Sequence, residues 1–439
     1  MMITSFRKAA KTTALLALAV TTTLAFSSGA WAKETSAAAP SYRTVVEVED
    51  FGAQITKLIV DLGQPIPKNA VTKETFTVHV KRSDSRLDDP LIAEGDRKVT
   101  KAYVADQNGN PAKETGRYAV LEMEIGPEIK LSPAMNYVDV GVWNDNKHTV
   151  TQQKDITTES GVISGLVIDN SAGEIRELVD EFNTGKAAYE GVTLTYADYT
   201  PAKDKKKNPL VIWLHGMGEG GTDPTITITG NKAVNFASKD IQSYFGGAYV
   251  LAPQTPTYWM DGFNGFGDGT SKYEKALMSL IRDYVAKNKD IDPKRIYIGG
   301  DSNGGYMTML MIRDYKDYFA AAFVACEALK DSLITDKQIK EMKDLPIWFI
   351  AAKTDTVVPP IDYTVSTYSR LVNAGAKDVH MSLFNNVSDT SGLYKKSDGT
   401  PYEYNGHWSW IYVYNNDVSK VINGKNTTLM EWLASKKKK

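Results

Sequence analysis

Two textures of hydrophobic patterning divide the chain. From about Tyr42 to Thr158, apolar and polar residues alternate in short runs. In FTVHV, Phe76, Val78 and Val80 share one face while Thr77 and His79 take the other, the period-two signature of a half-buried strand. TKLIVDL, RKVTKAYVAD, RYAVLEMEI and NYVDVGVWN follow the same rule, and DQNGNP supplies turn chemistry between two of them. Short strands in succession without intervening helices predict a β-sandwich of immunoglobulin type.

A helical stretch is expected near Glu174–Phe182, followed by the charged run AKDKKKNP. Beyond it the texture changes. PLVIWLH, AYVLAP, RIYIGG, FAAAFVA, PIWFIAA and DVHMSLF are short, almost wholly apolar and rich in β-branched or aromatic residues, as parallel strands covered on both faces require. Between the second and third, SKYEKALMSLIRDYVAKN places Tyr273, Leu277, Leu280, Ile281 and Tyr284 on one helical face. Strands alternating with helices predict a doubly wound α/β domain, whose sites form beyond the carboxyl ends of its strands. The expected organisation is a β-sandwich over residues 33–185 and an α/β domain over 186–439.

Residues 1–32 are set apart. Arg7, Lys8 and Lys11 precede an apolar run broken by Thr21, Thr22 and Thr23, and Ala30-Trp31-Ala32 forms an A-x-A cleavage pattern. This reads as a secretory signal peptide, too short and interrupted for a membrane anchor, so the protein is expected to be secreted and not an integral membrane protein. Without that segment the 51 basic residues fall to 48 against 53 acidic ones, a balance of −5. That balance gives no support for a nucleic-acid partner, which requires a basic stripe. Lys436–Lys439 reads as a frayed, solvated tail. Cys326 is the single cysteine, so no internal disulfide is expected, and its place in FAAAFVACEA marks it as structural. His79, on a solvent face, and His148, in the polar run NDNKHT, are given no chemical partner.

The chemistry gathers in the second domain. Gly300-Asp301-Ser302-Asn303-Gly304 fits G-x-S-x-G, directly after a strand and opening a helix. Such an elbow strains the backbone at the serine and brings its flanking positions too close to neighbouring chain for a Cβ, and Gly305 extends that allowance. A serine hydroxyl needs a base to take its proton and an acid to orient the base, in the order Ser, acid, His for this fold. Two histidines follow Ser302. His380 lies inside the strand DVHMSLF, whereas His407 lies in the loop run NGHWSW after the last strand, where the base belongs. Asp355, in FIAAKTDTVVPP just past a strand's carboxyl end, is the expected acid, with a turn or cap aspartate as the rival reading. LVIWLHGMGEGG puts a His-Gly-Met-Gly run after the first strand of the domain, so the backbone N–H groups of Met217 and Asn303 are the expected oxyanion donors. His215 precedes the serine and abuts that loop, and reads as scaffolding.

Taken in order, HGMGEGG, LAPQ followed by Trp259, IDPKRIYIGG, GGDSNGGYMTM, AAKTDTVVPP and GHWSW resemble the secreted α/β-hydrolase esterases related to polyhydroxybutyrate depolymerases and prolyl-oligopeptidase-like hydrolases, in the subset with an immunoglobulin-like N-terminal domain. The resemblance implies an α/β-hydrolase fold and a serine carboxylesterase with Ser302 as nucleophile, Asp355 as acid and His407 as base. Asp301, beside the nucleophile, departs from the small or apolar residue expected there and reads as either a deterrent to anionic substrates or a surface contact.

The remaining features carry weaker expectations. DGFNGFGDGT, from Asp261 to Thr270, holds acidic residues in a glycine-rich loop without EF-hand spacing, and reads as a rim loop with calcium as the alternative. Trp259, Trp408 and Trp410 flank the motifs, and Trp259 and Trp408 are candidate substrate contacts. The polar insert NNVSDTSGLYKKSDGTPYEYNG is a candidate lid. No metal or organic cofactor is expected. The partner is an ester, small or polymeric, and a homo-oligomer is compatible with the chain. Rival functions are an extracellular polyester depolymerase, a prolyl-oligopeptidase-like peptidase, which usually carries propeller repeats not seen here, and a non-catalytic surface-binding protein.

Overall fold

The computed structural model describes residues 39–438, so the signal-peptide reading of residues 1–32 lies outside the described residues. Residues 41–176 form two facing sheets. One runs, in spatial order, Ser171–Arg176, Ser41–Glu49, Gly52–Pro67, Thr115–Met123 and Val99–Ala105, and the other runs Val167–Ile168, Asp145–Gln152, Phe76–Ser83 and Leu91–Arg97. The alternation read in FTVHV holds: Phe76, Val78 and Val80 are buried and Thr77 is exposed. Phe76 and Val78 pack with Val46, Leu58, Val60, Leu121 and Val150 between the sheets, as a sandwich requires.

Glu174–Phe182 is not a helix. Residues Ser171–Arg176 add a strand parallel to Ser41–Glu49, with Val45 opposite Ile175, and a single 3₁₀ turn, Val179–Glu181, follows. The open edge of the first strand offers unpaired backbone groups, and pairing with them outweighs the local helical spacing. His79 also has partners: its ring nitrogens lie 2.8 Å from Asp96 and 3.1 Å from Glu94 on the neighbouring strand. His148, despite its polar neighbours, is buried. Burial pushes its imidazole down to about 3, so it is neutral.

From Asn183 the strands join a different, eight-stranded sheet. Its order is Asn183–Tyr189, Val192–Tyr199, Tyr249–Gln254, Asn208–Leu214, Ile291–Asp301, Ala321–Ala325, Ile347–Ala352 and Val379–Phe384. The first two strands are antiparallel to their neighbours and the other six are parallel. Every residue of Asn208–Leu214, Tyr249–Gln254, Ala321–Ala325 and Ile347–Ala352 is buried, because helices cover both faces. On one side, Glu274–Lys287 contributes Leu277, Leu280, Ile281 and Tyr284 to the core, with Tyr273 at its start. On the other, Trp410–Tyr414 and Leu429–Ala434 pack against Trp213, Phe323 and Trp348. Strand Tyr249–Gln254 pairs on one side of Asn208–Leu214 and Ile291–Asp301 on the other, so the winding reverses there. The loops after Leu214 and Asp301 meet at that switch point, where α/β sheets bind their ligands.

The described part of the basic tail, residues 436–438, is docked and not frayed. Lys436 pairs with Asp378 at 2.7 Å, and the Lys438 N–H donates to the Lys294 carbonyl at 2.9 Å. Among the described residues, no helix is long and apolar enough to cross a membrane.

Candidate active site

The turn after Ile291–Asp301 is shaped by its glycines. A Cβ at Gly300 would lie 2.6 Å from the Gly304 backbone, one at Gly304 would lie 1.9 Å from the Leu214 carbonyl, and one at Gly305 would lie 2.8 Å from Glu327 Cα. Only bare backbone fits, and that lets helix Asn303–Asp314 start directly against two strands. The cost appears at Ser302, held at φ 52° and ψ −114°, a conformation that a residue with a Cβ adopts under strain. Its N–H is anchored on the Ala325 carbonyl at 3.0 Å, and its side chain stands in the pocket.

Two other loops reach it. His407 Nε2 lies 2.9 Å from Ser302 Oγ, and His407 Nδ1 lies 2.8 Å from Asp355 Oδ2. Asp355 follows Ile347–Ala352 and is buried, and its second oxygen accepts the N–H groups of Val357 and Val358, both at 2.9 Å. With Nδ1–H donated to the carboxylate, Nε2 presents its lone pair to the serine hydroxyl. His407 is held by the Asn405 side chain, which accepts its N–H at 2.9 Å. Neighbouring Gly406 packs on Thr354 so closely that a Cβ would lie 2.4 Å from that backbone. His380, by contrast, is held by Asp378 at 3.0 Å, within the last strand.

Met217 opens the 3₁₀ turn Met217–Glu219, and Asn303 opens the helix after Ser302. First-turn N–H groups have no carbonyl one turn earlier to receive them, so both amides are available as donors. His215 is scaffolding by geometry: it is buried, the Thr255 N–H donates to its Nε2 at 3.2 Å, and its Nδ1 faces the Gly216 carbonyl at 2.5 Å. Burial pushes its imidazole down to about 4, so it stays neutral.

The pocket around Ser302 has a volume of about 430 Å³, and its lining includes Met217, Val357, His407, Trp408 and Trp410. Trp259 does not line it. That residue is wholly buried, with its ring N–H on the His215 carbonyl at 3.1 Å and its backbone N–H on the Asn303 side chain at 2.6 Å, so it braces two loops and touches no ligand space. The insert expected as a lid forms a small hairpin, Val387–Ser388 with Glu403–Tyr404, and contributes none of the lining. The wall comes instead from the sandwich: Asp50, Phe51, Gly52 and Tyr137. The insert backs that wall, with Tyr394 edge-on to Phe51 at 5.0 Å between ring centres.

Asp301 is not a surface contact either. It is buried beside the pocket, accepting from Asn231 Nδ2 at 3.0 Å, and faces buried Glu219 across Gly216. A Cβ at Gly216 would lie 2.8 Å from Asp301 Oδ2 and 2.9 Å from Glu219 Oε2. Burial, with its neighbour's charge, holds the Asp301 carboxyl well above the usual range, and burial raises Glu219 to about 7. Glu219 was within the quoted HGMGEGG, where its acidic side chain amid four glycines was the available signal. Phe51 and Tyr137 left no comparable signal.

One donor cluster has metal-ligand spacing: Cys326, Asp355 and His407 lie with ligand atoms within 4.8 Å of one another. Both His407 nitrogens and the near Asp355 oxygen are already hydrogen-bonded, and burial keeps the Cys326 thiol protonated. In the loop Asp261–Thr270, Asp268 accepts from the Thr270 N–H and hydroxyl at 2.9 and 2.7 Å, and the Asp268 N–H donates to the Asp261 carbonyl at 3.1 Å. Those contacts explain the loop's acidic residues as its own turn chemistry.

Sandwich, mostly parallel sheet and serine elbow define an α/β-hydrolase fold preceded by an immunoglobulin-like domain. Residues 41–165 match the family described as the esterase Ig-like N-terminal domain, and residues 278–338 match the prolyl oligopeptidase family. A solved thermostable esterase superposes with a TM-score of 0.75 at 25% identity, covering 90% of this chain and 99% of that one. Poly(3-hydroxyalkanoate) depolymerase C of Paucimonas lemoignei is 32% identical over 129 residues, 28% of this chain and 29% of that protein. Feruloyl esterase B of Neurospora crassa is 26% identical over 163 residues, 36% of this chain and 51% of that protein. The chain thus matches less than two thirds of either curated relative's length.

Proposed function

We propose that this protein is a serine carboxylesterase acting through Ser302, His407 and Asp355. The observation that carries it is the continuous hydrogen-bonded line from Asp355 through His407 to the strained Ser302, beside two available backbone amides. His407 Nε2 takes the hydroxyl proton as Ser302 Oγ attacks the ester carbonyl carbon. The N–H groups of Met217 and Asn303 receive the oxyanion, and Asp355 stabilises the imidazolium. As the C–O bond to the alcohol breaks, His407 returns the proton to the leaving oxygen. Water, deprotonated by the same imidazole, then attacks the acyl-enzyme and frees the acid and Ser302. No cofactor is needed for this sequence of steps.

The names of the relatives span polymeric and aromatic esters, and both are candidate substrates. The prolyl oligopeptidase match over 278–338 favours peptide cleavage as a second reading, since that stretch contains the serine elbow. Residues 1–32 fit export, and a domain boundary fits residues 177–182, where the chain leaves one sheet system for the other. The test is steady-state hydrolysis of p-nitrophenyl esters and p-nitroanilide peptides. Ester turnover that falls about 10³-fold or more in Ser302→Ala is expected. An unchanged rate in that variant removes the assignment, and faster anilide than ester turnover selects the peptidase.

A further inference from the structure

The pocket at Ser302 has a neighbour. A second cavity, of about 620 Å³, shares Phe51, Gly52 and Tyr137 with it and extends over the sandwich. Its walls include Ile92 and Ala93 from the edge strand Leu91–Arg97, Ile129 and Pro133 from the segment before the hairpin Met135–Trp143, and Met135 at the hairpin's start. Both volumes fall in the range of ordinary ligand sites, roughly 300–1,000 Å³.

This cavity is preformed. The tip of the first hairpin and the segment 129–135 are tied together: the Ile55 N–H donates to the Ser132 carbonyl, the Ala134 N–H donates to the Ala53 carbonyl, both at 2.8 Å, and the Ser132 hydroxyl donates to Gln54 at 2.7 Å. Arg82 fixes the same segment from beneath, donating to the carbonyls of Lys130, Pro133 and Met135 at 2.6, 2.9 and 3.2 Å. Its guanidinium is thereby occupied by backbone and nearly wholly buried, and the other two charged lining residues, Glu128 and Lys130, are exposed and of opposite sign, so the wall carries no net buried charge for an ionic group. What remains facing the space is dominated by half-buried apolar side chains, which suits an uncharged chain and not a carboxylate or phosphate.

We propose that this cavity is the distal half of the substrate site, taking the portion of an ester remote from the scissile bond: an uncharged, extended chain too long for the pocket at Ser302 alone. The inference rests on the esterase reading above. The two spaces abut, with Phe51, Gly52 and Tyr137 lining both, and that adjacency selects this occupant. The sandwich then serves as a length gauge for the substrate. Each methylene newly buried there raises kcat/KM about three- to fourfold until the cavity is filled.

The test uses the full chain and two matched ester series, p-nitrophenyl acyl esters and alkyl acetates, each from short to long. Wild type is expected to favour long over short members at least tenfold in one series. Ala93→Trp, which fills the cavity, and Ile92→Asp, which puts a charge in its wall, are each expected to cut that long-to-short ratio at least tenfold, with thermal melts confirming that both variants fold. Ester hydrolysis with ratios unmoved in both variants overturns the inference while leaving the esterase reading intact. Hydrolysis of no ester by wild type removes both. A variant that changes the oligomeric state with the ratio intact assigns the cavity to a second copy of the chain, and likewise overturns it.

Discussion

Tyr137 Oη donates to the carbonyl of Gly230 at 3.1 Å, joining the sandwich to the loop structure over the catalytic sheet. The ring also packs against the oxyanion loop, where a Cβ at Gly218 would lie 3.4 Å from it, and a Cβ at Gly230 would lie 2.9 Å from its hydroxyl. Two glycines thus make room for one tyrosine, and the Met217 amide is backed by a side chain from another sheet. The oxyanion role proposed for that amide demands placement to within a fraction of an ångström, which such backing supplies.

Removing that backing is expected to lower catalysis more than stability. Tyr137→Phe keeps the packing and loses one hydrogen bond, about 0.5–1.5 kcal/mol of unfolding free energy, with a small change in kcat/KM. Tyr137→Ala removes the wall, and kcat/KM for a short ester should fall about tenfold or more. Steady-state kinetics beside urea unfolding check this. Equal kinetics for the two variants would mean that the sandwich does not brace the loop.

Ser302 at φ 52° stores strain that the fold must offset elsewhere. Glycine adopts that conformation without cost, so Ser302→Gly should be more stable than Ser302→Ala by about 1 kcal/mol, though both lack the hydroxyl. Denaturant midpoints at constant slope make the comparison. An alanine variant as stable as the glycine one argues against strain at the elbow.

Why some of this was legible in the sequence and some was not follows from range. The strands and the bend at Ser302 are local: Phe76, Val78 and Val80 alternate within five residues, and Gly300, Gly304 and Gly305 flank the serine they serve. Asp355 and His407 could be proposed from the sequence although distant, because each follows a strand in the chain order expected for this fold. The sandwich wall has no such order. Tyr137 meets Gly230 across 93 residues, and nothing in NYVDVGVW says which way its rings face. Trp259 misled for a related reason, since proximity to site motifs in sequence does not separate a residue that lines a pocket from one that braces it. The segment 174–182 was misread because a neighbouring strand edge, invisible to local periodicity, captured it.

The carboxyl pair under the oxyanion loop gives a pH signature. Glu219, raised to about 7 by burial, is neutral below that pH and ionises above it, beside Asp301 and near the proposed oxyanion donor, the Met217 amide. Added negative charge there opposes the transition state. In Glu219→Gln, which keeps the side chain's size and cannot ionise, that penalty is absent. The ratio of kcat/KM, variant over wild type, should therefore rise severalfold as pH passes from 6 to 8. A ratio flat across that interval excludes Glu219 as the titrating group.

Glu327 offers the same physics as a stability effect, away from the reacting atoms. It is wholly buried; one oxygen accepts the Leu329 N–H at 2.8 Å and the other has no partner among the described residues. Burial raises its carboxyl from the ordinary 4.5 to about 8. Between those values the folded chain holds a proton that the unfolded chain has released, so this group's contribution to stability is full below pH 4.5 and is lost as pH rises toward 8. Glu327→Gln keeps the acceptor for Leu329 and has no proton to retain. Its unfolding free energy relative to wild type should grow by on the order of 2–4 kcal/mol between pH 5 and pH 8. Urea unfolding at both pH values measures the difference, and parallel stabilities would show that Glu327 is already ionised in the folded protein at neutral pH.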